Sequence, residues 1–211
     1  MTEAAEARHN AFVWRGEQRA ALLATRLAMT RAEHRSASRA IGEHLRPILA
    51  ALRPAVLAAY WPCRREFNPL PVLRGHLATG VRIALPVVRS KNEPLEFRLW
   101  RPGATMTLGA HNIPHPAEGA AVLPDALLIP MVGFDAAGYR LGYGGGYYDR
   151  TAAALSPRPP LIGIAFEFAR LQSIQPLAHD IPMDCIVTEL GTHIAGSHHF
   201  GLSALQGAAS L

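Results

Sequence analysis

The sequence predicts an α/β fold in which a mostly parallel central sheet is flanked by helices within a single domain. Short apolar segments bounded by proline and glycine alternate with helical segments, as they do in α/β proteins. The first such segment is apolar throughout, which is typical of a strand covered on both faces. A chain of 211 residues with 49% hydrophobic and 18% charged residues has enough apolar material for one buried core. We therefore expect a Rossmann-like, three-layer arrangement.

The N-terminal part of the domain is predicted to be helical over residues 15–52. Leucines recur at helical spacing in "RGEQRAALLATRLAM". Thr30 and Glu33 form a T-x-x-E capping box, which predicts the start of a second helix. Pro47 is expected to end or kink that helix, because proline lacks a backbone N–H.

The remaining elements follow in order. The run "AVLAAYW" at residues 55–61 predicts the first buried strand, and Asn68 followed by Pro69 predicts a third helix that stops at Gly80. A fourth helix is predicted over residues 147–155, between the segments "ALLIP" and "LIGIA". The further predicted strands are "VRIALP", "LEFRLW", "ALLIP", "LIGIA" and "CIVTE".

The domain limits follow from these elements and from composition. Residues 1–14 are polar and are expected to be a flexible N-terminus, and residues 15–192 are expected to form the α/β domain. Residues 193–211 are rich in alanine and glycine near the end, and a disordered C-terminal tail is expected there. No internal repeat is found.

Charge and cysteine usage exclude several protein classes. The net charge is +5 and the pI is about 9.8, with Lys91 the only lysine, which suits polyanionic partners such as phosphates or nucleic acid. Cys63 and Cys185 lack the C-x-x-C spacing of metal and redox sites. Because there is no basic, apolar leader and no run of roughly 18 apolar residues, we expect a cytoplasmic protein with no membrane partner.

The stretch "YRLGYGGGYYDR" at residues 139–150 carries the most specific chemistry. It lies between a predicted strand and a predicted helix, where a glycine-rich turn can present backbone N–H groups to an anion. It matches neither the G-x-G-x-x-G pattern nor a Walker A loop. Two interpretations remain open: a turn that only reverses the chain, or a phosphate-binding loop.

The neighbours of these glycines favour the second interpretation. Arg140 and Arg150 flank the loop with guanidinium groups suited to phosphate, and Asp149 offers an oxygen ligand for Mg²⁺. Aromatic rings beside glycines suit a flat heterocycle, although each ring is equally compatible with ordinary packing; the rings are Tyr143, Tyr147 and Tyr148.

The glycine-rich stretch is part of a longer motif that carries a family resemblance. Residues 133–150, "GFDAAGYRLGYGGGYYDR", resemble throughout the most specific motif of the 5-formyltetrahydrofolate cyclo-ligases, also called methenyltetrahydrofolate synthetases. Weaker elements follow the expected order over roughly residues 15–190: "RGEQR", "YWPCRREFN", "NIPHP" and "HDIPMDCIVTE". The resemblance implies an α/β enzyme that uses ATP and Mg²⁺ to convert 5-formyltetrahydrofolate to 5,10-methenyltetrahydrofolate, releasing ADP and phosphate.

The resemblance also implies roles for particular residues. Mg²⁺ would be held by Asp149 and Asp180, and the folate, which can carry several glutamates, would contact Trp61, Glu66 and Tyr147. Catalytic roles would fall to Tyr147, Tyr148 and Arg150. The residues implied to bind ATP are Arg15, Arg19, Arg140, Leu141, Gly142, Tyr143, Gly144, Gly145, Gly146, Tyr147 and Tyr148.

The chain departs from the family pattern at three positions. Arg15 stands where lysine is usual, Met131 where glycine is usual, and His115 where an acid or amide is usual, so no catalytic role is assigned to His115. We expect a monomer that does not bind nucleic acid. Two alternative functions are a basic nucleic-acid-binding protein and an α/β sugar-phosphate isomerase or transferase.

Overall fold

The computed structural model describes residues 3–77 and 80–194. In chain order the helices are α1 (Glu3–Ala28), α2 (Arg31–Leu52), α3 (Leu70–Leu77) and α4 (Tyr147–Ala154). The strands are β1 (Val56–Ala58), β2 (Arg82–Val87), β3 (Glu96–Trp100), β4 (Met106–Leu108), β5 (Pro114–Pro116), β6 (Ala126–Pro130), β7 (Gly133–Asp135), β8 (Arg140–Leu141), β9 (Leu161–Ile164), β10 (Arg170–Leu171), β11 (Cys185–Thr188) and β12 (Gly191–Ile194).

A seven-stranded sheet organises the described part of the chain. Its order is β12-β11-β9-β6-β1-β2-β3. The five central strands are parallel, whereas β3 and β12 pair antiparallel at the two edges. A three-stranded sheet, β10-β7-β8, follows the carboxyl end of β6, and β4 pairs with β5 in a separate hairpin. The predicted fold class is therefore confirmed.

The central sheet is covered on both faces, which produces three layers. In β1, Leu57 packs with the buried side of α2 and with α3, while Val56 and Ala58 belong to a second apolar cluster. That second cluster includes Ala152 of α4 and Phe134 of β7. Alternate residues of a strand point to opposite faces, so an apolar run such as "VLA" can supply both cores.

The predicted capping box at the start of α2 is present. Thr30 Oγ1 accepts the Glu33 N–H at 3.2 Å, and Glu33 Oε2 accepts the Thr30 N–H at 2.7 Å. The prediction for Pro47 was wrong about the end of the helix, which continues to a left-handed C-cap at Arg53. The buried residues on either side of Pro47 hold this last part of the helix against the sheet.

The chain ends differ from the predicted limits. Residues 3–14, expected to be flexible, lie in α1, because the helix begins at Glu3 and Ala11 is buried. Residues 193–194 of the expected tail belong to β12, whereas residues 195–211 lie outside the described residues. In the two described ranges, no helix combines the length and the hydropathy needed to cross a membrane.

Six short strands were not predicted: β4, β5, β7, β8, β10 and β12. Segments of two to four residues are too short to show an alternating pattern, and their pairing depends on distant partners. The β7–β8 hairpin matters most for function because it leads directly into the glycine-rich stretch. Asp135 stabilises this hairpin by accepting the N–H groups of Ala137 and Tyr139 at 3.1 Å.

Candidate active site

The glycine loop, which we define as residues 142–146, connects β8 to α4 beside the carboxyl ends of the parallel strands. Gly144 and Gly146 have φ angles of +91° and +65°, which L side chains rarely adopt. Gly146 is the N-cap of α4, and no side chain caps this helix. The first N–H groups of α4 are therefore available to an anion bound in the loop.

Arg19 of α1 lies directly against the glycine loop. Its Nε donates to the Gly142 carbonyl oxygen at 2.8 Å, and its guanidinium lies beside Gly144. Burial and the nearby positive charge of Arg15 both lower the pKa of Arg19, and Asp180 opposes this effect. A bound anion would relieve this crowding of positive charge.

Arg15 holds a different segment. Its side chain is buried, and its Nη2 pairs with Asp180 Oδ2 at 2.5 Å. The same guanidinium donates to two backbone carbonyl oxygens, at 3.0 and 2.7 Å, which belong to Ile174 and Gln175. Arg15 therefore ties α1 to the segment that precedes β11, next to the loop held by Arg19.

Both predicted metal ligands are paired with arginines. Asp149 Oδ2 lies 2.7 Å from Arg140 Nη2, and Asp149 Oδ1 accepts the Ile181 N–H at 3.1 Å. For Asp180, burial opposes ionisation, but hydrogen bonds from Arg15 and from the Leu177 N–H lower its pKa overall. Among the described residues, no group of three or more His, Cys, Asp or Glu side chains is arranged to hold a metal ion.

Glu66 lies in a tight turn of residues 63–66 that follows β1. Its Oε2 accepts the Cys63 N–H at 2.9 Å, and its Oε1 accepts the Tyr143 hydroxyl at 2.7 Å. The side chain is buried, and burial raises its pKa. Arg64 and Arg65 have φ angles of +45° and +58°, so the turn keeps two residues in left-handed conformations.

Arg26 also belongs to this site, although the sequence analysis did not select it. Its Nη2 donates to Tyr143 Oη at 2.6 Å, and its Nη1 donates to the Met131 carbonyl oxygen at 3.1 Å. The spacing of Arg15, Arg19 and Arg26 is i, i+4 and i+11, which places all three on one face of a helix. This spacing could have identified Arg26 as a site residue from the sequence.

The remaining predicted residues have more local contacts. Arg150 donates to the carbonyl oxygens of Lys91 at 2.9 Å and Gly145 at 2.8 Å, and it lies over the Tyr147 ring. Tyr148 packs against the second apolar cluster, and burial raises its pKa. Trp61 is half-buried against the first cluster. Through its two hydrogen bonds, Arg150 holds the glycine loop against the segment that connects β2 to β3.

An open groove of about 440 Å³ runs beside the glycine loop. Gly145 and Tyr147 form one side of it, and the other side includes Arg89, Lys91 and His111. A larger groove of about 790 Å³ lies between the end of α1, α2 and Phe168. The smaller groove is the better candidate for a ligand, because it adjoins the loop and carries basic side chains.

The sequence matches the family model described as the 5-formyltetrahydrofolate cyclo-ligase family over residues 11–189. A 5-formyltetrahydrofolate cyclo-ligase from Mycolicibacterium smegmatis is 30% identical over 156 residues, covering 69% of this chain and 80% of the relative. The enzyme of the same name from Escherichia coli K12 is 29% identical over 149 residues, covering 67% and 80%.

Two solved structures are similar in fold as well. The 5,10-methenyltetrahydrofolate synthetase of Aquifex aeolicus superposes with a TM-score of 0.74 and 28% identity, covering 88% of this chain and 98% of that one. The synthetase of Mycoplasma pneumoniae gives a TM-score of 0.70 and 26% identity, covering 83% and 98%. The family match spans nearly the whole α/β domain, including the glycine loop, Glu66 and the three arginines of α1. This chain belongs to the 5-formyltetrahydrofolate cyclo-ligase family.

Proposed function

We propose that this chain catalyses the ATP-dependent cyclisation of 5-formyltetrahydrofolate to 5,10-methenyltetrahydrofolate, with release of ADP and phosphate. The observation that carries the proposal is the hydrogen bond of 2.7 Å from the Tyr143 hydroxyl to Glu66. It joins the loop expected to hold ATP to the carboxylate expected to contact the folate. Neither a nucleic-acid partner nor sugar-phosphate chemistry explains why these two groups meet.

The chemistry needs positioning and charge neutralisation more than a strong base. A formamide is a poor electrophile, because the nitrogen lone pair is delocalised into its carbonyl group. Transfer of the γ-phosphoryl group of ATP to the formyl oxygen makes that oxygen a leaving group. N10 then attacks the formyl carbon, its proton is lost, and phosphate departs to leave the methenyl bridge.

The proposed ATP contacts follow from the site. Free backbone N–H groups of the glycine loop and of the first turn of α4 would bind phosphate oxygens. The guanidinium groups of Arg15, Arg19 and Arg140 would neutralise the phosphate charge. Leu141 and Tyr143 complete the strand and the loop that would surround the nucleotide.

The proposed folate contacts come from the segment after β1 and from the start of α4. Glu66 would accept hydrogen bonds from N–H groups of the pterin, and Trp61 and Tyr147 would contact its ring. Tyr147, Tyr148 and Arg150 would orient the reacting groups around the transferred phosphoryl. A glutamate tail would be attracted to the basic groove beside Tyr147.

The donor set of Asp149 and Asp180 fits Mg²⁺ in type, because Mg²⁺ prefers carboxylate oxygens and is usually shared with substrate phosphates. Each carboxylate is paired with an arginine, through Arg140 and Arg15 respectively. We propose that these two carboxylates hold the ion together with ATP. When bound, Mg²⁺ would offset the negative charge of the phosphates during transfer.

We further propose that the enzyme acts as a monomer in the cytoplasm, without nucleic-acid or membrane partners. The test of the function is direct: purified protein is mixed with 5-formyltetrahydrofolate, ATP and Mg²⁺, and the ultraviolet absorbance of the methenyl product is followed. The expected result is product formation that requires ATP. No ATP-dependent signal, under conditions in which the Escherichia coli enzyme is active, would refute the proposal.

A further inference from the structure

Three charged or polar groups form a continuous hydrogen-bonded line through the site; its two ends are buried, and Tyr143 in the middle is 40% exposed. Arg26 donates to Tyr143 Oη at 2.6 Å, and Tyr143 donates to Glu66 Oε1 at 2.7 Å. Arg26 and Glu66 are only 4% and 5% exposed. The line therefore connects α1, the glycine loop and the turn that follows β1.

The direction of each hydrogen bond is determined by chemistry. Arginine has donors and no acceptor, so the Tyr143 oxygen must accept from Arg26. The single hydroxyl proton of Tyr143 is then directed to Glu66. Since Glu66 Oε2 also accepts the Cys63 N–H, at 2.9 Å, both of its oxygens act as acceptors and the arrangement suits the ionised carboxylate.

The buried guanidinium of Arg26 needs a compensating negative charge. Burying a guanidinium is costly, and Arg26 Nε is one of two buried side-chain atoms without a hydrogen-bond partner among the described residues. Along its hydrogen bonds, the nearest negative charge is that of Glu66, which Arg26 reaches through the Tyr143 hydroxyl. An arginine that served only to cap the Met131 carbonyl oxygen would not need this geometry.

We propose that Arg26 is a positioning residue, which acts through the Tyr143 hydroxyl to hold Glu66 in a fixed, ionised orientation for the folate. This inference rests on the proposed folate contact of Glu66. Because Tyr143 belongs to the glycine loop, the same line also sets the distance between the nucleotide loop and the folate carboxylate.

The other groups that face Glu66 do not provide a competing charge. Burial raises the pKa of the Cys63 thiol to about 11, and it raises the pKa of the neighbouring phenols as well, so these groups stay neutral near pH 7; the phenols are Tyr60, Tyr143 and Tyr148. Arg64 lies over the Tyr143 ring, 5.3 Å from its centroid. Among the described residues, only Arg26 donates a charged hydrogen bond to the Tyr143 hydroxyl.

The sign of the pH effect follows from this arrangement. Burial raises the pKa of Glu66, and Arg26 opposes that rise. Without Arg26 or the Tyr143 hydroxyl, Glu66 is protonated at higher pH. Activity that needs the carboxylate is then lost earlier as pH falls, so the acid limb of the pH profile moves to higher pH.

The test is a double-mutant cycle of Arg26→Met and Tyr143→Phe, measured as kcat and KM for each substrate over the range of about pH 5 to 9. We expect each single variant to raise the folate KM about tenfold, to change the ATP KM by a clearly smaller factor, and to shift the acid limb upward by about one pH unit. The double variant should have the same folate KM as a single variant, because both changes break the same hydrogen-bonded line. Arg26→Lys should restore part of the loss.

Matched controls separate this effect from a loss of folding. Tyr139→Phe removes a hydroxyl from the neighbouring hairpin, and Arg158→Met removes a guanidinium that precedes β9 and pairs with Asp184. Circular dichroism and thermal unfolding are recorded for every variant. If Arg26→Met does not fold, Tyr143→Phe and Arg26→Lys still give the KM change and the pH shift.

The failure of this inference differs from the failure of the proposed function. If Glu66→Gln leaves the folate KM unchanged, the proposed role of Glu66 is wrong. If Glu66→Gln raises the folate KM but the folded Arg26 and Tyr143 variants retain the wild-type pH profile, the Arg26 inference is wrong. An additive double variant, with a loss near hundredfold, would also overturn it, because the two residues would then act separately.

Discussion

Asp149 pairs with a nearly buried arginine, so its role extends beyond any contact with a ligand. Arg140 has an exposed side-chain fraction of 5%, and its guanidinium bonds to Asp149 and to the Ile181 carbonyl oxygen. A buried charge that loses its partner is strongly destabilising. The carboxylate therefore contributes to the stability of the loop that is expected to bind ATP.

Asp149→Asn should consequently weaken both turnover and folding. We expect at least a tenfold loss of rate at limiting Mg²⁺, and a free energy of unfolding lower by about 1–3 kcal/mol. Magnesium titrations and thermal unfolding measure the two effects. Asp125→Asn, which affects a carboxylate bonded to the Val56 N–H outside the site, is the control. If the Asp149→Asn variant kept full activity at limiting Mg²⁺, Asp149 would not be a ligand of the metal.

Arg19→Ala tests the proposed phosphate contact of α1. Only the Nε of Arg19 has a described hydrogen bond, to Gly142, so its terminal nitrogens can donate to a phosphate. We expect the ATP KM to rise about tenfold, with little change in the folate KM. Arg39→Ala, on the exposed surface of α2, is the matched control. An unchanged ATP titration would assign Arg19 a purely structural role.

At the scale of elements, the glycine loop is shaped by the β7–β8 hairpin before it and by α4 after it. Asp135 ties the hairpin to the segment before β11 by accepting the Ile174 N–H at 3.0 Å. Arg150, from the first turn of α4, returns to the Gly145 carbonyl oxygen. The loop is therefore held at both ends, while residues 143–145 between them are exposed.

The two loop glycines with ordinary φ angles offer a paired test. A Cβ at Gly145 would lie 2.7 Å from the Tyr147 ring, whereas a Cβ at Gly142 would have no heavy atom within 4 Å. Gly145→Ala should therefore displace Tyr147 and raise the ATP KM several-fold, and Gly142→Ala should be nearly neutral. Equal ATP titrations for the two variants would show that the position of Tyr147 does not matter.

At the scale of the whole molecule, the ion pair between Arg15 and Asp180 links the first helix to the segment before β11. Hydrogen bonds, chiefly from Arg15, lower the pKa of Asp180 against the opposing effect of burial. A depressed carboxyl pKa adds stability above the unfolded-state pKa, and this stability is lost as pH falls through the folded-state pKa.

Asp180→Asn should therefore destabilise the protein at neutral pH and make little difference in acid. We expect the difference in free energy of unfolding between wild type and variant to shrink below about pH 4 and to disappear below the folded-state pKa. Urea unfolding at several pH values measures this difference. Glu43→Gln, which neutralises an exposed carboxylate on α2, is the control. A difference that stays constant with pH would show that the ion pair does not stabilise the fold.

The sequence alone was enough to predict the α/β class, the positions of the main strands along the chain, the capping box at Thr30 and the family. These features depend on periodicity over adjacent residues or on one contiguous motif. The tertiary structure decided which side chains meet. Tyr143 is 77 positions from Glu66 and 117 from Arg26, and only the packing of α1, the turn after β1 and the glycine loop brings them together. Contacts between such distant positions leave no local pattern, because they depend on how the elements pack.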